Sequence, residues 1–217
     1  MNSYSEKPVQ YFGYARKEIE VLLPVVLNRA LEVGCGSGAT LRWLSETKGI
    51  SNTVGIEISP VAAQLAKEQV QEVYCMNFEC DAMPANVGVF DLVLCLDVLE
   101  HMVDPWAAVS RLVSDHLEPG GTIIISLPNV RHYSVVFPLL TKGVWQYEDA
   151  GLLDRTHLRF FTRSSAMELL SGLGLSHPTY MATGFEKRSL KGILNFLTAG
   201  IFQEFVTYQH YLVAHKL

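Results

Sequence analysis

Five short apolar runs, residues 29–33, 52–58, 72–76, 89–97 and 122–128, alternate with stretches whose apolar residues recur at helical spacing. This alternation restricts the fold more than any other feature of the chain. A run such as VFDLVLCLD (89–97) has almost no polar alternation, so both of its faces must be covered. Parallel strands joined by helices meet that demand. The intervening helices carry start signals of their own. ATLRWLSETK (39–48) turns Leu41, Leu44 and Trp43 inward. Ser59-Pro60 opens a helix over 61–70, with serine as cap and proline at the first helical position. Asp104-Pro105 opens another over 106–117, and Pro119-Gly120-Gly121 turns the chain into the fifth strand. Right-handed crossovers then place the C-terminal strand ends, and any ligand, along one edge.

The flanking segments extend this core. Residues 14–27 read as a helix with Ile19, Leu22, Leu23 and Val26 on one face and Pro24 inside it. After residue 128 a long aromatic segment, 129–163, is too long for a simple connection and reads as an insertion over the ligand edge. A helix over 164–174, capped by serine and ended by glycine, precedes late strands at 175–183 and 205–216, which suit antiparallel pairing. A helical stretch around 189–203 lies between them. The expected fold is therefore α/β: a Rossmann-like, doubly wound, mostly parallel seven-stranded sheet with helices on both faces and an insertion after strand five. Within one domain, 1–217, the parts are an N-terminal helical segment (1–28), a cofactor-binding core (29–128), a substrate-side insertion (129–163) and a C-terminal helix with strands (164–217).

Composition sets outer bounds. A 217-residue chain with 49% apolar residues can bury one sizeable core, and a net charge of −5 argues against a nucleic-acid partner. The four cysteines show no CxxC pair, and the N-terminus has no basic start followed by an apolar stretch. No uninterrupted apolar run reaches the roughly 20 residues of a membrane span. A reducing, cytoplasmic location is expected, and a homodimer is compatible with the sequence.

The loop LEVGCGSGAT (31–40) follows the first strand and precedes a helix, where backbone N–H groups face a ligand. Gly34, Gly36 and Gly38 are spaced G-x-G-x-G, tighter than the dinucleotide pattern G-x-G-x-x-G, and Glu32 stands two residues ahead of the first glycine. Glu57 closes the second strand 19 residues past Gly38, where a carboxylate accepts both hydroxyls of a ribose. Asp81, after the third strand, is placed for an adenine amine. The fourth strand runs directly into LDVLEH.

Together these segments resemble the core motifs of class I S-adenosylmethionine-dependent methyltransferases, in order, over residues 29–128. The resemblance implies S-adenosylmethionine as cofactor and S-adenosylhomocysteine as product. It implies that Gly34, Gly36 and Gly38 line the methionine and ribose portions and that Glu32 supports the loop and the amino group. By the same resemblance Glu57 holds the ribose, Ile58 packs on adenine, Asp81 with Ala82 meets the adenine edge, and Leu96 and Asp97 lie beside the methionine. YFGYARKEIEVLLP, DVLEHMVDPW, SLPNVRHYSV and GLLDRTHLRFFT resemble a bacterial branch found with glycosyltransferases and surface-polysaccharide assembly. In that branch Tyr11 and Arg16 come from an N-terminal helix closing over the cofactor, with Arg16 facing its carboxylate. The chain is also similar to quinone O-methyltransferases, which carry a glutamate in place of Asp97.

Methyl transfer to a hydroxyl needs a base, and histidine is the natural candidate. Of seven histidines, three fall on the acceptor side: His157 in the polar island Asp154-Arg155-Thr156-His157, His132 after strand five, and His101 after strand four. His157 ranks first and His132 second. His116, His177, His210 and His215 read as structural or solvated. Asp97, Glu100 and His101 have i, i+3, i+4 spacing, but a cofactor-contacting turn accounts for it and no tightly bound metal is expected. Trp145, Tyr147, Phe160 and Phe161 offer a platform for a sugar ring or form local core, and 192–202 packs on the sheet or lies against a membrane surface. Fourth-strand residues read LDVL where nucleic-acid amino-methylating enzymes carry [DNS]-P-P-[YF]. The acceptor is thus a small molecule or a saccharide. A cofactor-binding regulatory subunit without turnover is the alternative, and a nicotinamide oxidoreductase ranks below it because of the loop spacing.

Overall fold

The computed structural model describes residues 13–183 and 202–217. Seven strands are present: β1 (Arg29–Val33), β2 (Asn52–Glu57), β3 (Glu72–Cys75), β4 (Phe90–Leu96), β5 (Leu117–Pro128), β6 (Thr179–Thr183) and β7 (Gln209–His215). They form one sheet in the order β3-β2-β1-β4-β5-β7-β6. β1 to β5 are parallel, whereas β7 is antiparallel to both β5 and β6. The α/β sheet expected from the alternation is the one observed, including its antiparallel late strands.

β4 shows why its run is apolar throughout. Val93 and Cys95 join one core with Leu31, Val54, Ile123 and Ile125, while Leu92 and Leu94 join another with Ala30, Leu41, Ile124 and Tyr211. Successive side chains alternate between the two faces, and each face is covered. Each large aliphatic side chain buried in this way stabilises the fold by about 1.5–3 kcal/mol. The chain leaves β1 toward β3, then returns to place β4 on the other side of β1. The strand order reverses there, which opens a crevice beyond the C-terminal ends of β1 and β4.

The helices are α1 (Ala39–Lys48), α2 (Pro60–Ala66), α3 (Pro105–Arg111), α4 (Tyr133–Lys142) and α5 (Arg163–Glu168). Ser59 and Asp104 cap α2 and α3 by accepting from the Ala62 and Ala107 amides. Several boundaries differ from the sequence reading. The helix expected over 14–27 is one 3₁₀ stretch, Lys17–Leu22, because Pro24 forces the preceding Leu23 into extended backbone. α2 stops at Ala66, short of residue 70. The helix expected over 106–117 leaves α geometry after Arg111, passes through a π-helical turn at Leu112–His116, and enters β5 at Leu117, which pairs with Phe90. The insertion contains a helix, α4, that the sequence reading did not resolve, ended by Gly143 in left-handed backbone. α5 is shorter than 164–174 and begins under Thr162, not a serine. Thr162 and Ser165 close a reciprocal capping box. Thr162→Ala is expected to lower stability by about 1 kcal/mol, read as a shifted urea midpoint at unchanged slope. Of the stretch 189–203, only its last residues are described, and a short turn Gln203–Val206 begins there. No described helix is long and apolar enough to cross a membrane.

Candidate active site

The glycine loop is tied across the end of β2. Gly34 N–H and Cys35 N–H donate to Ile56 O at 2.8 and 3.1 Å, and Gly36 N–H donates to Glu57 Oε2 at 2.9 Å. Glu57 Oε1 accepts from Ser59 N–H at 2.8 Å, so one carboxylate pins the loop to the start of α2. Burial raises the Glu57 pKa, and the two N–H donors oppose that shift.

The bare glycines have reasons of their own. Gly34 has φ +73°, and a Cβ there would lie 2.7 Å from Val98 Cγ2. Gly38 caps α1 with φ +82°, and its Cβ would lie 2.4 Å from Val70 Cγ2. Gly38 is therefore small because α1 and the end of α2 meet there. It is absent from the cavity lining, whereas Gly34 and Gly36 belong to it.

That cavity, about 350 Å³, opens at the strand-order reversal. Of the residues singled out in the sequence, Glu32, Gly34, Gly36, Glu57, Ile58, Leu96, Asp97, Arg16, His101 and His157 line it. Asp81 and Ala82 do not. Asp81 Oδ2 accepts from Asn77 N–H at 2.8 Å in an exposed turn. Tyr11 lies outside the described residues. His132 is also absent from the lining, and its ring accepts from Ser134 N–H as the cap of α4. Tyr14, Thr40, Val98, Glu100, Gly151, Asp154, Tyr208 and Gln209 line the cavity and were not singled out as cofactor or catalytic residues. Tyr208 and Gln209 come to the cavity at the start of β7, which returns antiparallel beside β5. The aromatic platform is not part of the lining. Phe161 is buried core beside Trp106, and Trp145 and Tyr147 gather on Phe160.

Glu32 sits mid-sheet on β1 and is 3% exposed, with Oε2 lacking a hydrogen-bond partner. Burial pushes its carboxyl up to about 8, against the opposing effects of Arg16 and Thr40. Arg16 bridges to Asp97 and, at 2.9 Å, to Glu18, while Tyr211 OH donates to Glu18 at 2.8 Å. Burial works against the Arg16 charge, but Asp97, Tyr211 and Glu18 more than offset it and raise its pKa. Asp97 has left-handed backbone, φ +54°, its N–H donates to Ser126 Oγ at 3.0 Å, and its Oδ1 accepts from Ser126 and Gln209. A carboxylate arriving at Arg16 would share it with Asp97.

The same cavity is lined by an acid–imidazole cluster. Glu100, His101 and His157 bring side-chain oxygen and nitrogen atoms within 4.8 Å of one another. Asp97, which the spacing grouped with Glu100 and His101, is engaged by Arg16 instead, and His157 of the insertion takes its place. The insertion is fixed to this turn by backbone: Leu158 and Arg159 N–H donate to Glu100 O at 2.8 and 3.0 Å. His101 Nδ1 lies 3.1 Å from Thr156 O, and Thr156 donates to Asp154 Oδ1 at 2.7 Å.

A small ligand with an ammonium, a carboxylate and a ribose meets complementary groups in this cavity. The unpartnered Glu32 oxygen suits the ammonium, Arg16 the carboxylate and Glu57 the diol. The model of a methyltransferase domain family matches residues 9–177, and the chain belongs to that family. Over 187 residues it is 27% identical to a ubiquinone biosynthesis O-methyltransferase of Albidiferax ferrireducens, covering 79% of this chain and 72% of that one. An S-adenosylmethionine-dependent methyltransferase from Archaeoglobus fulgidus superposes with a TM-score of 0.67 at 16% identity, over 98% of this chain and 96% of the other. A plantazolicin methyltransferase crystallised with S-adenosylhomocysteine superposes with a TM-score of 0.62 at 18% identity, over 98% and 87%. The protein is a class I S-adenosylmethionine-dependent methyltransferase.

Proposed function

We propose that the enzyme methylates a hydroxyl group on a small molecule or saccharide. The observation that carries this reading is the placement of two different chemistries on one cavity. Glu32, Glu57, Arg16 and the glycine loop line the same cavity as the Glu100–His101–His157 cluster. The cofactor supplies a methyl group activated by a sulfonium. The chain supplies orientation and a proton acceptor, which a hydroxyl needs and a sulfonium does not provide. Glu57 accepts from the ribose hydroxyls, Glu32 faces the ammonium, Arg16 the carboxylate, and Ile58 lies beside the adenine. His157 is held by its Nδ1 at 3.3 Å from Leu152 O, with Nε2 3.9 Å from Glu100 Oε1. The O-methyltransferase relative supports a hydroxyl acceptor. Buried free thiols at Cys35 and Cys95 suit a reducing compartment and a cytoplasmic location.

Calorimetric titration with S-adenosylmethionine, S-adenosylhomocysteine and NAD tests the cofactor side. Binding of both sulfur compounds without NAD is expected, and the reverse would return the chain to the oxidoreductase reading. Methyl-labelled cofactor offered with catechols, sugars and lipid-linked saccharides then tests the acceptor. Binding without transfer to any hydroxyl would favour a regulatory subunit. His157→Asn is expected to lower turnover while leaving S-adenosylhomocysteine affinity unchanged; parallel loss of both would make His157 purely structural.

A further inference from the structure

We propose that Tyr211 is a positioning residue for the cofactor's carboxylate: its hydroxyl holds the Arg16 guanidinium in place and engages the Glu18 carboxylate that competes for it. This rests on the reading above in which Arg16 receives that carboxylate. Tyr211 stands in β7 opposite Ser126 of β5, fully buried in the core that also holds Ile19. It is absent from the cavity lining, so any effect on a ligand passes through Arg16, 195 positions away in sequence. A buried phenol needs polar partners, and Tyr211 reaches two of opposite charge. Arg16 Nη2 donates to its oxygen at 3.3 Å, and its O–H donates to Glu18 Oε1 at 2.8 Å. Gln209 Oε1 lies 3.2 Å from the same hydroxyl. Burial raises the Tyr211 pKa, so the proton it donates is retained.

Arg16 needs such a hold. It lies just ahead of the 3₁₀ stretch Lys17–Leu22, which Ile19 anchors in the core, and its N–H donates to Thr40 Oγ1 at 3.2 Å. Those anchors fix the backbone and leave a long side chain its rotamer freedom. The guanidinium meets two carboxylates, Glu18 at 2.9 Å from Nε and Asp97 at Nη2. Two anions on one cation leave little attraction for a third unless both are kept in place. Asp97 is restrained by Ser126 and Gln209, which donate to its Oδ1. Among the described residues, Tyr211 is the hydrogen-bond donor to Glu18, whose side chain is 30% exposed. The hydroxyl occupies the same Glu18 oxygen that faces Arg16 Nε, which weakens the grip of that oxygen on the guanidinium. Without the hydroxyl, Glu18 holds Arg16 unopposed and draws it toward the exposed side.

A ligand that lacks only the carboxylate separates this role from a general effect on the sheet. The full chain is titrated by calorimetry with S-adenosylmethionine and with decarboxylated S-adenosylmethionine. Tyr211→Phe keeps the ring in the core and removes the hydroxyl alone. It is expected to weaken S-adenosylmethionine binding about tenfold and to leave the decarboxylated ligand within about twofold of the parent. In an Arg16→Ala background the same substitution is expected to add less than about twofold for either ligand, because the residue it acts through is gone. Equal losses for the two ligands mark Tyr211 as merely structural and overturn the proposal. So does an unchanged or raised S-adenosylmethionine affinity, or a tenfold loss that persists without Arg16. Two further results sink the reading beneath it and are seen in the parent chain before any substitution at Tyr211. Equal affinity for the two ligands would show that Arg16 does not receive the carboxylate, and binding of neither would remove the cofactor assignment.

Discussion

Glu57→Ala is expected to weaken S-adenosylmethionine binding by about 30- to 1000-fold, equivalent to about 2–4 kcal/mol. The size follows from two roles held by one carboxylate. Its oxygens accept from Gly36 N–H and Ser59 N–H, which ties the glycine loop to the second strand and the following helix. The same group closes β2 on the cavity lining, where its remaining lone pairs would accept from the ribose hydroxyls of the proposed cofactor site. Removing it loses charge-assisted hydrogen bonds to the ligand and leaves two backbone donors without their acceptor. Thermal unfolding of the unliganded variant separates the two roles. The loop role predicts a lowered midpoint in the absence of ligand, and the ribose role predicts an additional loss in calorimetry. Unchanged affinity would show that the cofactor lies elsewhere.

Glu32→Gln is expected to stabilise the unliganded protein by about 3 kcal/mol more at pH 7.5 than at pH 5. The sign comes from a carboxyl raised to about 8 in the folded chain and near 4.5 when unfolded. Between those values the folded state holds the proton more firmly, so its stability contribution is full below pH 4.5 and declines as pH rises to 8. A neutral amide removes that decline. His210, lowered by burial to about 4, acts with the opposite sign, losing stability as pH falls from 6.5 toward 4. The comparison is therefore made between variant and parent at each pH, where the His210 effect cancels. Urea unfolding at both pH values measures it, and equal midpoint shifts would mean that Glu32 is ionised in the unliganded fold. The same substitution is expected to weaken cofactor binding, because the amide cannot hold an ammonium as a carboxylate does. Stability and binding then move in opposite directions at one residue, as expected where a buried charge is kept for a ligand.

The apolar alternation over 29–128, the helix starts at Ser59-Pro60 and Asp104-Pro105, and the glycine loop were all legible in the chain, because each depends on neighbours a few residues away. Strand periodicity alone placed Leu92 and Val93 on opposite faces of a covered sheet. The loop with Glu57 was legible as a cofactor signature because strand ends in a parallel sheet converge on one edge whatever the connecting helices do. Local signals failed where distant contacts outweighed them. Residues 14–27 carry helical spacing, yet Pro24 and packing against the sheet leave one 3₁₀ stretch. Gly38 read as a ligand-facing residue, but Val70 fills the space beside it. His132 read as a candidate base and serves as a helix cap. The juxtaposition of Glu100 with His157, 57 positions apart in sequence, arises because insertion amides bond to the turn after β4. Tyr208 and Gln209 reach the cavity only because β7 returns antiparallel beside β5. Hydrogen bonds and packing between residues far apart in the chain have no period for a sequence to display, so the glycine loop and Glu57 were written in the chain, and the meeting of Glu100 with His157 was decided by the tertiary structure.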